Sequence, residues 1–196
     1  TAYEADLEIL RDNSYYRVFN IQSLVEARTS YFHNSIGGYH GAKLMRYQDL
    51  FDSCIYRQTQ KLISDLQSGR PEFPEYGVIN MLNVRYLTYG PDRNNIIPNP
   101  EANGAAWFVS EIATVNSPAE ELEKVCVINT YQTAVIDASK MDIPSISFDS
   151  AATISITEWK PNYLKYESES NTSGLAVFSE IFYPKGWTAT IDGSEV

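Results

Sequence analysis

Ser30-Tyr-Phe-His-Asn-Ser-Ile-Gly-Gly-Tyr-His-Gly-Ala-Lys-Leu-Met-Arg-Tyr-Gln-Asp-Leu-Phe-Asp52 is the stretch from which the rest of the chain is read. It gathers three glycines (Gly37, Gly38, Gly41), both histidines of the protein (His33, His40), several aromatic rings and a short alternation of charge. It then runs straight into the longest helical pattern in the sequence. Leu44, Tyr47, Phe51, Ile55, Gln58, Leu62 and Leu66 recur at steps of three and four, which makes one stripe of a helix, or of two helices end to end, facing a core. Arg46, Gln48, Asp49, Asp52 and Arg57 fall on the opposite face. Arg46 and Asp49 are spaced to pair across one turn for a few tenths of a kcal/mol. Gly69, Pro71 and Pro74 end the helix.

Upstream of this stretch, Leu7 and Leu10 mark a helix over 5–11, and Asp12-Asn13 stops it before a strand over 15–21. Helix then strand at the entrance is an α/β-type start. Downstream, a short helix over 75–82 precedes a strand at 84–88, bounded by Gly90-Pro91. Residues 91–104, with three prolines and four asparagines, form the best linker candidate. A strand follows over 105–115. Ser117 as cap, Pro118 at the first position and Glu120 and Glu121 in the first turn then mark a helix start. From Thr133 on, β-rich runs recur at a spacing of about ten residues with Gly, Asn, Ser and Pro between them, the pattern of an antiparallel sheet or sandwich. The expected fold class is therefore α+β. A helix-rich α/β part (1–90) leads through a linker loop (91–104) to a mainly antiparallel β-rich part (105–196), and the two parts either separate or pack as one domain.

A chain of 196 residues buries roughly 70% of its unfolded surface and needs no disulfide or metal to hold it together. With 15 basic against 25 acidic residues, a net charge of −10 and no Lys/Arg cluster, it lacks the basic stripe that nucleic acid requires and the polybasic helix that anionic lipid requires. Cys54 and Cys126 match no metal spacing. Cys54 falls on the apolar side of the long helix and reads first as a buried free thiol, with a Cys54–Cys126 disulfide the alternative in an oxidising compartment. No signal peptide and no apolar run near 18 residues is present. The chain begins at Thr1 without Met, and its last residues follow an Asp192-Gly193 hairpin turn after which a strand is expected. Both features raise the expectation of a piece excised from a longer protein, truncated at its C-terminus.

The glycines of the opening stretch have two readings. They bring backbone amides close to a phosphate or carboxylate, with Lys43 nearby, or they make a tight turn over Tyr39 and His40, which is the favoured reading. The spacing is not that of a Walker loop. Neither histidine finds a spaced third ligand, so no metal and no cofactor is expected. A pairing of His33 or His40 with Asp49 or Asp52 would supply a general acid or base, while hydrogen-bonded histidines that fix the loop's shape are the simpler expectation. Nucleophile motifs are missing, so no catalytic residue is assigned. Trp107, Trp159 and Trp187 lie in strands or at strand ends and are expected in the core ahead of a sugar-stacking role. The 14 tyrosines suit strand edges first and sugar or protein contact second. Asn171-Thr172-Ser173 matches a glycosylation sequon.

Three stretches, 30–52, 82–109 and 161–196, together resemble the large soluble region of YfhO-like bacterial membrane proteins. The run Tyr183-Pro-Lys-Gly-Trp-Thr-Ala-Thr-Ile-Asp-Gly193 is also similar to β-rich extracytoplasmic domains of other polytopic proteins of GT-C type. The resemblance implies a membrane protein with these residues on its extracytoplasmic, periplasmic face. It implies a role in moving a sugar from a polyprenyl-phosphate carrier to an acceptor, with catalysis in the full-length protein assigned to a segment these residues lack. The implied partners are the protein's own transmembrane region and cell-envelope glycan or the carrier-linked sugar. Tyr31, His33, Tyr39, His40, Arg46 and Asp49 are the candidate substrate-binding residues, since their loop is both family-like and chemically unusual. Two other readings stand beside this one: a structural or partner-binding domain without sugar binding, marked by an exposed apolar patch above a few hundred Å², and a self-contained hydrolase or transferase, marked by a cleft with perturbed titratable groups around the histidines.

Overall fold

The computed structural model describes residues 1–39, 41–183 and 185–195. Its class is α+β. The N-terminal part is organised around a parallel strand pair, β1 (Arg17–Asn20) and β2 (Val84–Thr88), which lie side by side although more than sixty residues separate them. Three helices fill that interval: α2 (Met45–Leu50), α3 (Tyr56–Ser68) and the short α4 (Gly77–Met81). A helical connection between parallel strands is the expected solution, because such strands cannot be joined by a tight turn.

The two faces of the pair are covered differently, and a bulge near the start of β2 lets Val84 and Leu87, three residues apart, share one face. Phe19, Val84 and Leu87 face the main core, where they meet Ile55, Leu62 and Ile79 from the helices. Val18 points the other way, onto Tyr16 and onto Ile9 of α1 (Glu4–Ile9). The stretch expected as a linker is not all loop: β3 (Ile96–Pro98) pairs antiparallel with β2 and completes a three-stranded sheet, its prolines tolerated because it is an edge strand.

The long helical stripe is present, and the α-helical hydrogen bonding beneath it is interrupted at one point. Residues Phe51–Ile55 form a π-helical turn between α2 and α3. The wider turn sends two successive side chains, Cys54 and Ile55, inward together. Gln58, the one polar member of the stripe, is buried for a reason that hydrophobic spacing does not reveal. Its Oε1 accepts from the backbone N–H groups of Val78 and Ile79 at the start of α4, at 3.1 and 3.2 Å. Helix-terminal donors that would otherwise be orphaned are thereby satisfied. Arg46 differs from expectation: it pairs with Glu121 at 2.6 Å, and Asp49 stays exposed.

In the second part, the expected strand over 105–115 is split at Ser110 into β4 (Ala106–Val109) and β5 (Glu111–Val115). The helix starting at Ser117 is α5 (Pro118–Val125), its first turn capped by the Ser117 hydroxyl accepting from the Glu120 N–H. It carries the chain to β6 (Thr133–Asp137), which pairs parallel with β5 and is the exception in a mostly antiparallel region. The other pairs are antiparallel and distributed over small sheets: β7 (Thr153–Lys160) with β8 (Tyr163–Glu169), β9 (Leu175–Phe178) with β4, and the terminal hairpin β10 (Thr190–Ile191) with β11 (Ser194–Glu195) across Asp192-Gly193. Trp107 on β4 is buried and donates its Nε1–H to the Thr130 carbonyl at 3.1 Å, whereas Trp159 is 43% exposed, its ring tilted against that of Tyr15. The core default holds for the first and not for the second.

The cysteines overturn the free-thiol expectation. Cys54, in the π turn, is disulfide-bonded to Cys126 at the end of α5, with their Cα atoms 5.2 Å apart. The helical stripe placed Cys54 inward correctly, but sequence alone does not reveal that α5 packs its C-terminus against that turn. The bridge closes a loop with a sequence separation of 72 residues. Chain-entropy arguments for a loop of that length give a contribution of about 4 kcal/mol. Replacing both cysteines with alanine is therefore expected to lower the free energy of unfolding in urea by about that amount. A loss below about 1 kcal/mol would show that the cross-link constrains little of the unfolded chain.

Candidate functional site

The glycine stretch forms one wall of a groove. Its course is fixed by backbone contacts: Val18 N–H donates to the Asn34 carbonyl at 2.8 Å, Ser35 makes a parallel bridge to Val18, and Gly38 N–H donates to the Leu24 carbonyl at 3.2 Å. Two glycines are required on steric grounds. A Cβ on Gly37 would lie 2.8 Å from the Leu24 carbonyl oxygen, and Gly38 has φ +131°, a conformation that side-chain-bearing residues avoid. The glycines do make a tight turn, but Tyr39 does not pack beneath it as expected: its ring is exposed.

The opposite wall comes from α2 and the π turn. Between the walls is a cavity of about 270 Å³, bordered on the helical side by Lys43, Leu44, Tyr47, Gln48 and Phe51. Tyr47 donates its hydroxyl to the Ile36 carbonyl and so ties the two walls together. Burial pushes its phenol up to about 12. The floor holds Arg17 with Leu82 and Ile181. Arg17 is buried and fully engaged: Nη1 donates to the carbonyls of Leu82 and Ser179 at 3.0 and 2.9 Å, and Nη2 meets the Glu180 carboxylate at 3.0 Å. Tyr15 donates its hydroxyl to the same Glu180 oxygen at 2.8 Å. Burial and that carboxylate both hold the Tyr15 phenol far above its ordinary range.

The groove is therefore largely apolar, with an ammonium at Lys43 and an amide at Gln48. No carboxylate or imidazole is found among its described lining residues. It can hold a ring-bearing polar ligand; it holds no described acid/base pair.

The six residues singled out in the sequence do not converge. Tyr31 and Tyr39 are exposed, Asp49 is on the outer face of α2, and Arg46 points to α5. His40 lies outside the described residues, as does Pro184 of the Tyr183–Gly193 run. His33 turns away from the groove. Its side chain is only 1% exposed, and its Nε2 is 3.2 Å from Oδ1 of Asp6 in α1, so its carboxylate partner is neither Asp49 nor Asp52. Asp52 instead accepts from the Gln48 side chain at 2.8 Å. Arg28 also pairs with Asp6, and it lies over the Tyr3 ring at 3.4 Å. The trio clamps the 28–33 turn onto the start of α1 and so has the loop-shaping role.

Arg17, Tyr47, Gln48 and Glu180 were not singled out. Tyr47 appeared only as a core-stripe member, and nothing near Arg17 or Glu180 in the sequence signals that residues so far apart pair.

Among the described residues no group of three or more His, Cys, Asp or Glu is arranged to hold a metal, and no helix is long and apolar enough to cross a membrane. Comparison with known proteins finds no matching family model, no matching curated protein and no matching solved structure.

Two measurements follow from this geometry. Gly38→Ala is expected to destabilise the fold by roughly 1–3 kcal/mol, while Gly41→Ala, with open space around it, stays within about 0.5 kcal/mol of the parent. Equal effects would show that the φ at Gly38 is not a constraint. The second concerns acid. Burial holds the His33 imidazole below its ordinary 6.5, against the pull of Asp6. At Asp6, burial alone would raise the carboxyl, but hydrogen bonds from Arg28, the Tyr3 N–H and His33 outweigh it and hold it below its ordinary 3.8. In both groups the unfolded chain takes up protons more readily than the folded one, so stability falls as pH drops. His33 is felt first, from about 6.5 downward, and Asp6 as pH falls through the acid range below 3.8. His33→Gln is expected to flatten the first part of the curve of unfolding temperature against pH. An unchanged slope would remove His33 as its source.

Proposed function

We propose that these residues form the water-facing, extracytoplasmic region of a membrane-anchored protein of GT-C-like type, and that the groove between the glycine loop and α2 binds a stretch of cell-envelope glycan. On this reading the domain serves as an accessory or acceptor-side element in moving a sugar from a polyprenyl-phosphate carrier, and the transfer chemistry belongs to another part of the protein. The observation that carries the proposal is the composition of the groove. One wall is the glycine stretch on which the resemblance rests, and the opposing wall presents ring and aliphatic surface from Tyr47, Phe51 and Leu44 beside donors on Lys43 and Gln48. Sugars offer that combination in return: C–H faces that pack on apolar surface and hydroxyls that need directed partners. The Cys54–Cys126 disulfide supports the compartment, since such bonds persist where thiols are not kept reduced.

Titration of the uniformly ¹⁵N-labelled protein with cell-envelope oligosaccharides is the direct test. Amide shifts are expected at Gly37, Gly38, Lys43 and Gln48, and Lys43→Ala combined with Gln48→Ala is expected to weaken binding roughly tenfold. Absence of any shift at millimolar oligosaccharide would overturn glycan binding. Recovery of the natural protein in the soluble fraction after carbonate extraction would overturn membrane anchorage.

A further inference from the structure

A second cavity lies elsewhere, at the carboxyl ends of the parallel strands. Asn20 and Thr88, the last residues of β1 and β2, are paired in register. Beyond them the start of α1 borders a gap together with Gly90 and Pro91, held there by the Ala5 N–H donating to the Pro91 carbonyl at 3.0 Å. The result is a partly open space of about 200 Å³, the scale of a single sugar ring, whose polar walls are Asp6, Asn20, Glu26, Arg28, Thr29 and Thr88, with Gln22 at its mouth. The ends of parallel strands are where α/β sheets hold their ligands, because the connecting loops splay apart there.

Two observations mark this cavity as built to receive something. Thr29 and Thr88 are only 6% and 9% exposed, and what remains accessible of each lines the cavity. Neither hydroxyl has a hydrogen-bond partner among the described residues, and neither oxygen is sealed from the cavity, so both are open to a ligand there. The second observation is the charge. Arg28 is taken up by Asp6 and lies over the Tyr3 ring, while Glu26 has no ion pair among the described residues. The wall therefore presents hydroxyls and amides, able both to donate and to accept, together with one carboxylate in excess over cations.

We infer that this cavity is a binding site for a small polyhydroxylated amine, an aminated monosaccharide, whose ammonium meets Glu26 and whose hydroxyls meet Thr29, Thr88 and Asn20. The site is separate from the groove, and the inference does not depend on glycan binding there. An acidic sugar is disfavoured by Glu26, and a neutral one makes no ion pair with it.

The test is ¹⁵N NMR titration of the protein with glucosamine, glucose and glucuronate in parallel at neutral pH. Glucosamine is expected to shift the amides of Asn20, Gln22, Thr29 and Thr88, to bind more tightly than glucose, and glucuronate to bind least. Glu26→Gln is expected to weaken glucosamine binding about fivefold while leaving glucose unaffected. Glu26 is only half-buried, and an unchanged spectrum away from the cavity confirms that the variant folds. Gln22→Ala, at the exposed mouth, provides a second variant with the same expected direction for both sugars. No shift at these amides overturns the inference, as does glucosamine binding no tighter than glucose or glucuronate. Shifts confined to Gly37, Gly38 and Lys43 would assign sugar binding to the groove alone and also overturn it.

Discussion

The buried guanidinium of Arg17 is the constraint on which the rest depends. It sits on β1, at the edge of the N-terminal sheet, and is answered by three groups from far away: the carbonyls of Leu82 and Ser179 and the carboxylate of Glu180. A charge in that position without its partners would be costly, about 3–5 kcal/mol for a broken buried pair, so the segment after β9 must lie against the first strand. That requirement joins the two parts of the molecule. It also sets the floor of the groove, since Ile181, next to Glu180, is delivered there with it. Tyr15 and Tyr47 then take their places around the ion pair, both with phenols pushed up by burial.

Much of this architecture was legible because local signals and tertiary packing agree. The capped start of α5 at Ser117-Pro118, the end of α3 at Gly69 and the span of β2 all appear where residue type alone placed them. The fold class followed from the same signals. What was illegible is non-local. The π turn leaves no mark in the three-and-four spacing, because the stripe runs through it unbroken. Gln58 looks like a tolerated polar residue until α4 is seen to start on it. The parallel pairing of β5 with β6 is hidden because each strand alone has no direction.

The site was legible in part. The glycine stretch does shape a cavity, and its glycines are required by backbone geometry. The chemistry expected of its polar residues was misplaced, since His33 finds its carboxylate on α1 and Arg46 finds its own on α5. In both cases an intrahelical or same-loop partner was the nearest in sequence, and a residue from another element was nearer in space. The groove's working surface comes instead from Tyr47, Phe51 and Leu44, residues whose apolar character had assigned them wholly to the core. They are shared between the core and the cavity, a dual use that periodicity cannot separate.

The disulfide and the π turn act on the same wall of that groove. Phe51 opens the turn and Cys54 lies one turn on, so the covalent tie to α5 holds the helical side at a fixed distance from the glycine side. The placement of the Arg17 partners carries a consequence for biogenesis. A chain emerging in order from a ribosome exposes β1 163 residues before Glu180, so that strand must wait, with its cation hydrated, until the later segment has been made. Assembly that closes on such distant contacts is slow, because the entropy of a long loop is spent before the contact rewards it. The nascent domain therefore spends much of its synthesis as a half-built sheet, and its exposed β1 edge is the surface a chaperone would have to shield.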